Sequence, residues 1–183
     1  MKTDKNGNIL ELMTGDITKQ RTDAIVNAAN GSLLGGGGVD GAIHRAAGKE
    51  LLTECKQIRE EQLKDEKLPT GEAVITSGYN LPAKYVIHTV GPVWKEHHDN
   101  QEYLLANCYQ NSLELAMQQG VSSIAFPSIS TGVYRFPVSL AAKTALKTII
   151  EFLKSYNFGS VVMVLFSEQD YATYEAVLKE KAE

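Results

Sequence analysis

The chain has 183 residues, 43% of them hydrophobic, and its 18 Lys and Arg against 22 Asp and Glu give a net charge of −4. This composition excludes general disorder and predicts one domain over residues 1–183, since a single core commonly serves roughly 100–200 residues. The mild acidity also argues against a non-specific nucleic-acid binder, which needs a stripe of Lys and Arg.

The N-terminal residues and the cysteines indicate the compartment. Residues 1–6 are too polar for a secretory signal, and no apolar run approaches the roughly 18 residues that span a bilayer. Two cysteines, Cys55 and Cys108, cannot make a disulfide framework. We therefore expect a reduced, cytoplasmic protein without a membrane partner.

Short apolar runs typical of strands alternate with longer helical patterns along the chain. In chain order, six strands are predicted at residues 9–13, 24–27, 73–76, 85–90, 123–126 and 161–166. Helices are predicted over residues 39–62, with a break at Gly48, and over residues 103–119, 138–155 and 171–178. This alternation predicts an α/β fold whose mostly parallel sheet is covered on both faces. Ligands of such sheets bind beyond the carboxyl ends of the strands, which directs attention to the loops there.

The loop after the second strand, residues 27–41, contains the run Gly35–Gly38 and no Lys or Arg. Consecutive glycines indicate a backbone that takes positive φ or approaches a ligand closely. The loop leads into a helix whose N-terminal amides attract anions, so it could form a phosphate cradle built of amides, the alternative being a flexible surface loop. No Lys-Ser or Lys-Thr follows the run, which excludes a Walker A loop. No G-x-G-x-x-G opens the first strand–helix unit, which argues against a dinucleotide-dependent oxidoreductase.

Two further segments carry residues suited to a nucleotide. Residues 127–137, after the fifth strand, contain small hydroxyl residues, a glycine and Tyr134, whose ring could stack on ribose. An ordinary connection with Ser or Thr capping is the alternative. Asp16 either caps a short helix or accepts a hydrogen bond from an exocyclic amine such as that of adenine.

The histidines are not assigned to the site. His44 follows Asp40 by four residues, so both can share a helix face, and a packing or hydrogen-bonding role is favoured over a catalytic pair. His88 lies in an apolar strand and is expected in the core, while His97 and His98 lie in a polar segment expected to be a solvated loop. No Cys or carboxylate spacing completes a metal site, so no metal and no cofactor are predicted.

Four motifs resemble the signatures of the macrodomain family, in the same order: residues 15–18 (GDIT), 27–30 (NAAN), 35–43 (GGGGVDGAI) and 130–134 (STGVY). Residues 76–82 and 87–92 further resemble the MacroD-type branch, which hydrolyses ADP-ribose esters. The resemblance extends from about Asn8 to the last helix. It implies a three-layer α/β/α sandwich with a six-stranded mixed, mostly parallel sheet and a crevice that binds ADP-ribose.

The resemblance also implies roles for individual residues. Asp16 would bind the adenine amine and the Ile17 amide a ring nitrogen, while Phe166 would pack against adenine unless it is a core residue. Asn30 would bind the distal ribose, and Asp40 is the position that hydrolytic members use. The amides that would flank the diphosphate belong to Gly36, Gly37, Gly38, Val39, Ser130, Thr131, Gly132, Val133 and Tyr134.

The activity that the resemblance implies is removal of mono-ADP-ribose from acidic side chains of proteins and deacetylation of O-acetyl-ADP-ribose. The alternative is a reader module that binds ADP-ribose without turnover; Asp40 favours the enzyme, since a pure binder does not need that carboxylate. Near a helix N-terminus Asp40 should stay ionised. It could deprotonate or orient water, or a substrate phosphate could share that task while Asp40 positions the ribose. The expected partners are ADP-ribose, its esters and mono-ADP-ribosylated proteins, bound by a monomer.

Overall fold

The structure is a computed structural model that describes residues 1–96 and 100–182. The solvated loop predicted at His97 and His98 falls outside the described residues. Within those ranges the strands are β1 (Lys2–Lys5), β2 (Asn8–Thr14), β3 (Ala24–Ala28), β4 (Ala73–Ser77), β5 (Tyr85–Thr89), β6 (Ser123–Phe126) and β7 (Ser160–Leu165). The helices are α1 (Gly38–Ala47), α2 (Lys49–Glu61), α3 (Gln101–Gln118), α4 (Val138–Ser155) and α5 (Glu168–Ala182), with a 3-10 turn at Ile17–Lys19. None of these helices is long and apolar enough to cross a lipid bilayer.

The strands form one sheet in the order β1-β2-β7-β6-β3-β5-β4. The four inner pairings are parallel, whereas β1 with β2 and β4 with β5 are antiparallel. The mixed, mostly parallel sheet predicted from the sequence is therefore confirmed.

The prediction of six strands is wrong by one, because it misses β1. The sequence of β1, Lys-Thr-Asp-Lys, contains no apolar residue, so it has no hydrophobic periodicity to detect. Pairing with β2 and an ion pair of 3.4 Å between Lys2 Nζ and Glu11 Oε2 hold it at the sheet edge. Asn6 and Gly7 form the connecting turn with φ of 59° and 85°. That dipeptide is preferred in two-residue hairpins and was the available signal for the extra strand.

Helices cover both faces of the sheet, which gives the predicted three layers. On one face, Ile43 of α1 and Leu51 of α2 belong to a core with Ile25 and Val86 of the sheet. On the other face, α3, α4 and α5 share a second, larger core with the sheet. The predicted helix break is also confirmed, since Gly48 separates α1 from α2 with φ of 93°.

Parallel pairing collects the loops of interest at one edge of the sheet. β2 and β7 run side by side to the pair Thr14 and Leu165, so Asp16 and Phe166 emerge next to each other. β3 and β6 are also parallel neighbours, and β6 adjoins β7. The loops that follow β2, β3, β6 and β7 therefore meet at the carboxyl edge of the sheet.

Candidate active site

A cavity of about 930 Å³ opens at this edge. All of the residues predicted for the site line it, from four separate segments of the chain. They are Asp16, Ile17, Asn30, Gly36, Gly37, Gly38, Val39, Asp40, Ser130, Thr131, Gly132, Val133, Tyr134 and Phe166. The fold thus brings the predicted residues together around one space, whereas their contacts with a ligand stay predictions.

The glycine run forms the wall of the cavity that leads into α1. Gly35 and Gly38 have φ of 86° and 58°, a region that favours glycine, so the backbone requirement inferred from the sequence is met at these positions. Gly37 is the N-cap of α1, and no described residue beyond its chain neighbours and the backbone of α1 has an atom within 4 Å of where its Cβ would be. An anionic ligand can therefore approach the first amides of α1 closely at this point.

Asn30 braces the glycine run from within the loop. Its Nδ2 donates to the Gly35 carbonyl at 2.7 Å, and its Oδ1 accepts hydrogen bonds from both the amide and the hydroxyl of Ser32. The side chain predicted to bind the distal ribose is therefore also a structural part of the loop. Replacing it would disturb the loop as well as any ribose contact.

Asp40 lies in the first turn of α1 and is buried. Its Oδ1 accepts a hydrogen bond of 2.8 Å from Asn27 Nδ2, and His44 Nε2 lies 3.4 Å from the same oxygen, as the four-residue spacing predicts. Its other oxygen, Oδ2, lies beside Gly36, as does Asn30 Nδ2. A Cβ on Gly36 would lie 3.4 Å from Asp40 Oδ2 and 3.1 Å from Asn30 Nδ2. One oxygen is thus held by the protein, and the other lies beside Asn30 at the cavity wall.

Burial affects the pKa of Asp40 more than its position at a helix N-terminus does. The sequence predicted that a helix N-terminus would favour the carboxylate, but burial has the largest effect and raises the Asp40 pKa. The hydrogen bond from Asn27, the nearby His44 and the Asn30 amide act in the opposite direction. A carboxyl group with a raised pKa holds a proton more readily than an exposed one, which suits a group that accepts a proton from water.

The loop after β6 is held in shape by backbone hydrogen bonds. Ser130 has φ of 69° and its carbonyl accepts from the Phe136 amide at 2.9 Å. Its hydroxyl is buried and has no hydrogen-bond partner within the described ranges.

The predicted alternative of a Ser or Thr cap on α4 is wrong, because the N-cap residue is Pro137, whose side chain has no acceptor. Val133, which lines the cavity, is 90% exposed.

Asp16 and Phe166 form the opposite end of the cavity. Asp16 caps the short 3-10 turn, accepting from the amide and hydroxyl of Thr18 at 2.9 and 2.7 Å. The hydroxyl bond, followed by the amide bond, lowers the Asp16 pKa. Both bonds use Oδ1, so capping leaves Oδ2 for a ligand. Phe166 is 96% exposed, so the alternative that it belongs to the core is wrong.

Other lining residues were not predicted. Among the described residues that line the cavity, Arg45 alone carries a positive charge, and Asp170 adds a carboxylate from α5. Arg45 lies four residues after Gly41, and a Cβ on Gly41 would lie 3.0 Å from its guanidinium, so this helical spacing could have drawn attention to it. Within the described ranges, no three His, Cys, Asp or Glu side chains are grouped as metal ligands.

The fold and the cavity at the carboxyl edge of its sheet define a class of ligand-binding α/β domain, and comparison with known proteins gives its family. A family model described as Macro domain matches residues 26–145. The chain belongs to the macrodomain family, which confirms the resemblance found in the sequence.

Individual relatives match along nearly the whole chain. A protein of Escherichia fergusonii named O-acetyl-ADP-ribose deacetylase is 49% identical over 175 residues, 95% of this chain and 97% of the relative. The solved Oceanobacillus iheyensis macrodomain with ADP is 59% identical with a TM-score of 0.98, covering 100% of this chain and 96% of that one. The Trypanosoma brucei macrodomain in complex with ADP-ribose is 43% identical with a TM-score of 0.83, covering 92% and 68%.

Proposed function

We propose that this protein is a hydrolase of ADP-ribose esters, which removes mono-ADP-ribose from acidic side chains of proteins and deacetylates O-acetyl-ADP-ribose. The observation that carries the proposal is Asp40: a buried carboxylate with Oδ1 held by Asn27 and Oδ2 beside Asn30 at the cavity wall. A module that only binds ADP-ribose has no need of a carboxylate fixed in this way. The name of the Escherichia fergusonii relative, O-acetyl-ADP-ribose deacetylase, supports the same activity.

The residues that line the cavity support one proposed direction for bound ADP-ribose. Adenine lies between Asp16, the Ile17 amide and Phe166, at the end formed by the loops after β2 and β7. The diphosphate lies between the amides of residues 36–39 and those of residues 130–134, with Arg45 as a neutralising side chain. The distal ribose then reaches Asn30 and Asp40. The solved complex of the Trypanosoma brucei macrodomain with ADP-ribose supports this class of ligand.

Ester hydrolysis at this position needs an oriented water. The water oxygen attacks the ester carbonyl carbon, the bond from that carbon to the ribose oxygen breaks, and the carboxylic acid and ADP-ribose are released. In one mechanism, Asp40 Oδ2 accepts the proton of the attacking water. In the other, Oδ2 binds a ribose hydroxyl and so orients the ester towards the water, and a substrate phosphate accepts the proton. The water proton finally replaces the acyl group on the ribose oxygen.

Three broader features belong to the same proposal. Residues 1–183 form one macrodomain, since all seven strands of the described residues belong to a single sheet. It acts as a monomer in the cytoplasm, where its free, buried Cys55 and Cys108 stay reduced. Its macromolecular partners are mono-ADP-ribosylated proteins.

The direct test is turnover by the purified protein. O-Acetyl-ADP-ribose and a protein ADP-ribosylated on Glu are incubated with it, and released acetate and ADP-ribose are measured. We expect both products to form catalytically. Tight binding of ADP-ribose without release of either product would support the reader module instead.

A further inference from the structure

Buried polar side chains continue behind Asp40. Asn27 on β3, His88 on β5 and Thr76 on β4 are all buried and do not line the cavity. Asn27 Nδ2 lies 2.8 Å from Asp40 Oδ1 and 3.1 Å from His88 Nδ1, and His88 Nε2 lies 3.0 Å from Thr76 Oγ1. Because β3, β5 and β4 are adjacent, these contacts form a polar chain across three strands that ends on Asp40.

The hydrogen-bonding capacity of each group fixes its role in this chain. An amide nitrogen only donates, so Asn27 gives one hydrogen to Asp40 and the other to His88 Nδ1. His88 Nδ1 therefore accepts, and Nε2 carries the ring proton and donates it to Thr76 Oγ1. Burial, with a smaller effect of the nearby His44, lowers the His88 pKa to about 3, so the ring stays neutral. The Thr76 hydroxyl then donates to the Ser77 carbonyl at 3.1 Å.

One atom of the chain has no partner. Asn27 Oδ1 is buried and lacks a hydrogen bond within residues 1–96 and 100–182. Turning the amide over would not help, because Oδ1 would then face the Asp40 carboxylate, which has no hydrogen to donate, and Nδ2 would become the buried atom without a partner. His88 therefore keeps the Asn27 donor aimed at Asp40 while a buried acceptor is left unsatisfied. Stability alone does not favour this arrangement.

Two other titratable groups lie next to the chain. His44 Nε2 is 3.4 Å from Asp40 Oδ1, and Cys55 Sγ is 4.0 Å from His88 Nε2. Burial is the main cause that raises the Cys55 pKa to about 12, so its thiol stays protonated. His44 reaches Oδ1 from α1 and the Asn30 amide contacts Asp40 from the loop after β3, whereas Asn27 reaches Oδ1 from within β3 and ties Asp40 to the sheet.

We propose that Asn27 and His88 are positioning residues for ester hydrolysis, which hold Oδ1 of Asp40 so that Oδ2 faces the cavity beside Asn30. This inference rests on the proposed function, since it requires Asp40 to act on the substrate. His88 works through Asn27 and touches neither the substrate nor the cavity. Its substitution therefore changes the orientation of the carboxylate and leaves the ligand contacts in place.

His88→Asn and His88→Gln form a matched pair that tests this role. In His88→Asn the amide oxygen is bonded to Cγ, as Nδ1 is in histidine, so it can accept the hydrogen bond from Asn27. In His88→Gln the amide lies one bond further from the backbone, near the position of Nε2 in histidine, so Asn27 loses its acceptor. We expect kcat for O-acetyl-ADP-ribose to fall about tenfold or more in His88→Gln, as misplaced catalytic groups cause. His88→Asn should keep most of the parental kcat. Calorimetric affinity for ADP-ribose should be the same in both variants.

The same pair is then compared in an Asp40→Asn background by single-turnover hydrolysis. With no carboxylate to position, the difference between the two His88 variants should vanish. Equal kcat of the pair in the parental background, or a difference that persists with Asp40→Asn, would overturn the positioning role. So would a fall in affinity that matches the fall in kcat.

Thr76→Val and Thr76→Ser give a second pair should a His88 variant fail to fold. Serine keeps the hydroxyl that accepts from His88 Nε2, and valine keeps the shape. Lower kcat in Thr76→Val than in Thr76→Ser at equal ADP-ribose affinity supports the chain, and equal kcat overturns it. Parental turnover in Asp40→Asn would instead overturn the proposed function. If Asp40→Asn is inactive but kcat is equal within the His88 pair and within the Thr76 pair, only the positioning role is overturned.

Discussion

One methyl group added at Gly36 would lie between the two side chains proposed to act on the distal ribose. An alanine Cβ there would lie 3.1 Å from Asn30 Nδ2 and 3.4 Å from Asp40 Oδ2. Gly37 provides the contrast, because no described residue beyond its chain neighbours and the backbone of α1 has an atom within 4 Å of a Cβ at that position. Neither glycine has a positive φ, so Gly36→Ala and Gly37→Ala differ in what the methyl meets and not in backbone strain.

The expected size of the effect follows from these contacts. At 3.1 Å the neighbour must move by a few tenths of an ångström, and Asn30 resists because Gly35 and Ser32 hold both ends of its amide. The methyl also takes the space that a water or ribose hydroxyl would need. We expect kcat to fall about 10²-fold in Gly36→Ala, which is about 2.7 kcal/mol in the barrier. Gly37→Ala should raise stability by about 0.4–1 kcal/mol, since alanine restricts the unfolded chain, whereas in Gly36→Ala the displacement of Asn30 should offset that gain.

Initial rates with O-acetyl-ADP-ribose, calorimetric affinity for ADP-ribose and melting temperature together measure this prediction. The methyl of Gly37→Ala would stand in the space where the proposed diphosphate approaches, so this variant should bind ADP-ribose more weakly but keep kcat at saturating substrate within about threefold of the parent, about 0.65 kcal/mol. Parental kcat in Gly36→Ala, or an equal loss of kcat in both variants, would refute the inference that Asn30 and Asp40 Oδ2 enclose the reacting ribose.

Three further predictions concern proton transfer, adenine and metal ions. Because burial raises the Asp40 pKa and only the ionised carboxylate accepts a proton, kcat/KM should fall as the pH decreases through a midpoint above the ordinary value of 3.8. Asp40→Asn should lack this acid limb, and an unchanged limb would assign it to another group. Phe166→Ala should weaken ADP-ribose binding about tenfold, since stacking of a base on an aromatic ring contributes about 1–3 kcal/mol. Its melting temperature should not fall, because the side chain is 96% exposed, and unchanged affinity would place adenine elsewhere. Turnover should persist in EDTA; loss of activity that a divalent ion restores would contradict metal-independent hydrolysis.

The sequence predicts the fold well where burial imposes a pattern. The buried strands β3, β5 and β7 are short apolar runs, and Gly48 ends a helical pattern, so each is recognisable locally. β1 is not, because an exposed edge strand needs no apolar residues and is stabilised by its pairing with β2. The Asn6–Gly7 turn is the sequence signal from which β1 could have been predicted.

In the candidate site, too, contiguous motifs could be predicted from the sequence, whereas contacts between residues distant in sequence could not. The glycine run and the Ser130 loop are contiguous motifs, so their place beyond the strands could be inferred from the sequence. The link from Asp40 through Asn27 to His88 could not, because 61 residues separate Asn27 from His88 and only the pairing of β3 with β5 brings them together. The raised Asp40 pKa depends on the same burial, which helix position alone does not reveal.

Hydrolysis by the Asp40→Ala variant, compared with its affinity for ADP-ribose, is the measurement that tests the enzymatic role of this cavity most directly. The proposed adenine and diphosphate contacts are made by other residues, so calorimetry should give an affinity within about tenfold of the parent, or about 1.4 kcal/mol. Single-turnover hydrolysis of O-acetyl-ADP-ribose should slow by about 10²-fold or more. Near-parental hydrolysis would contradict the role of Asp40 in turnover, and a parallel loss of binding and hydrolysis would make Asp40 a ligand-holding residue.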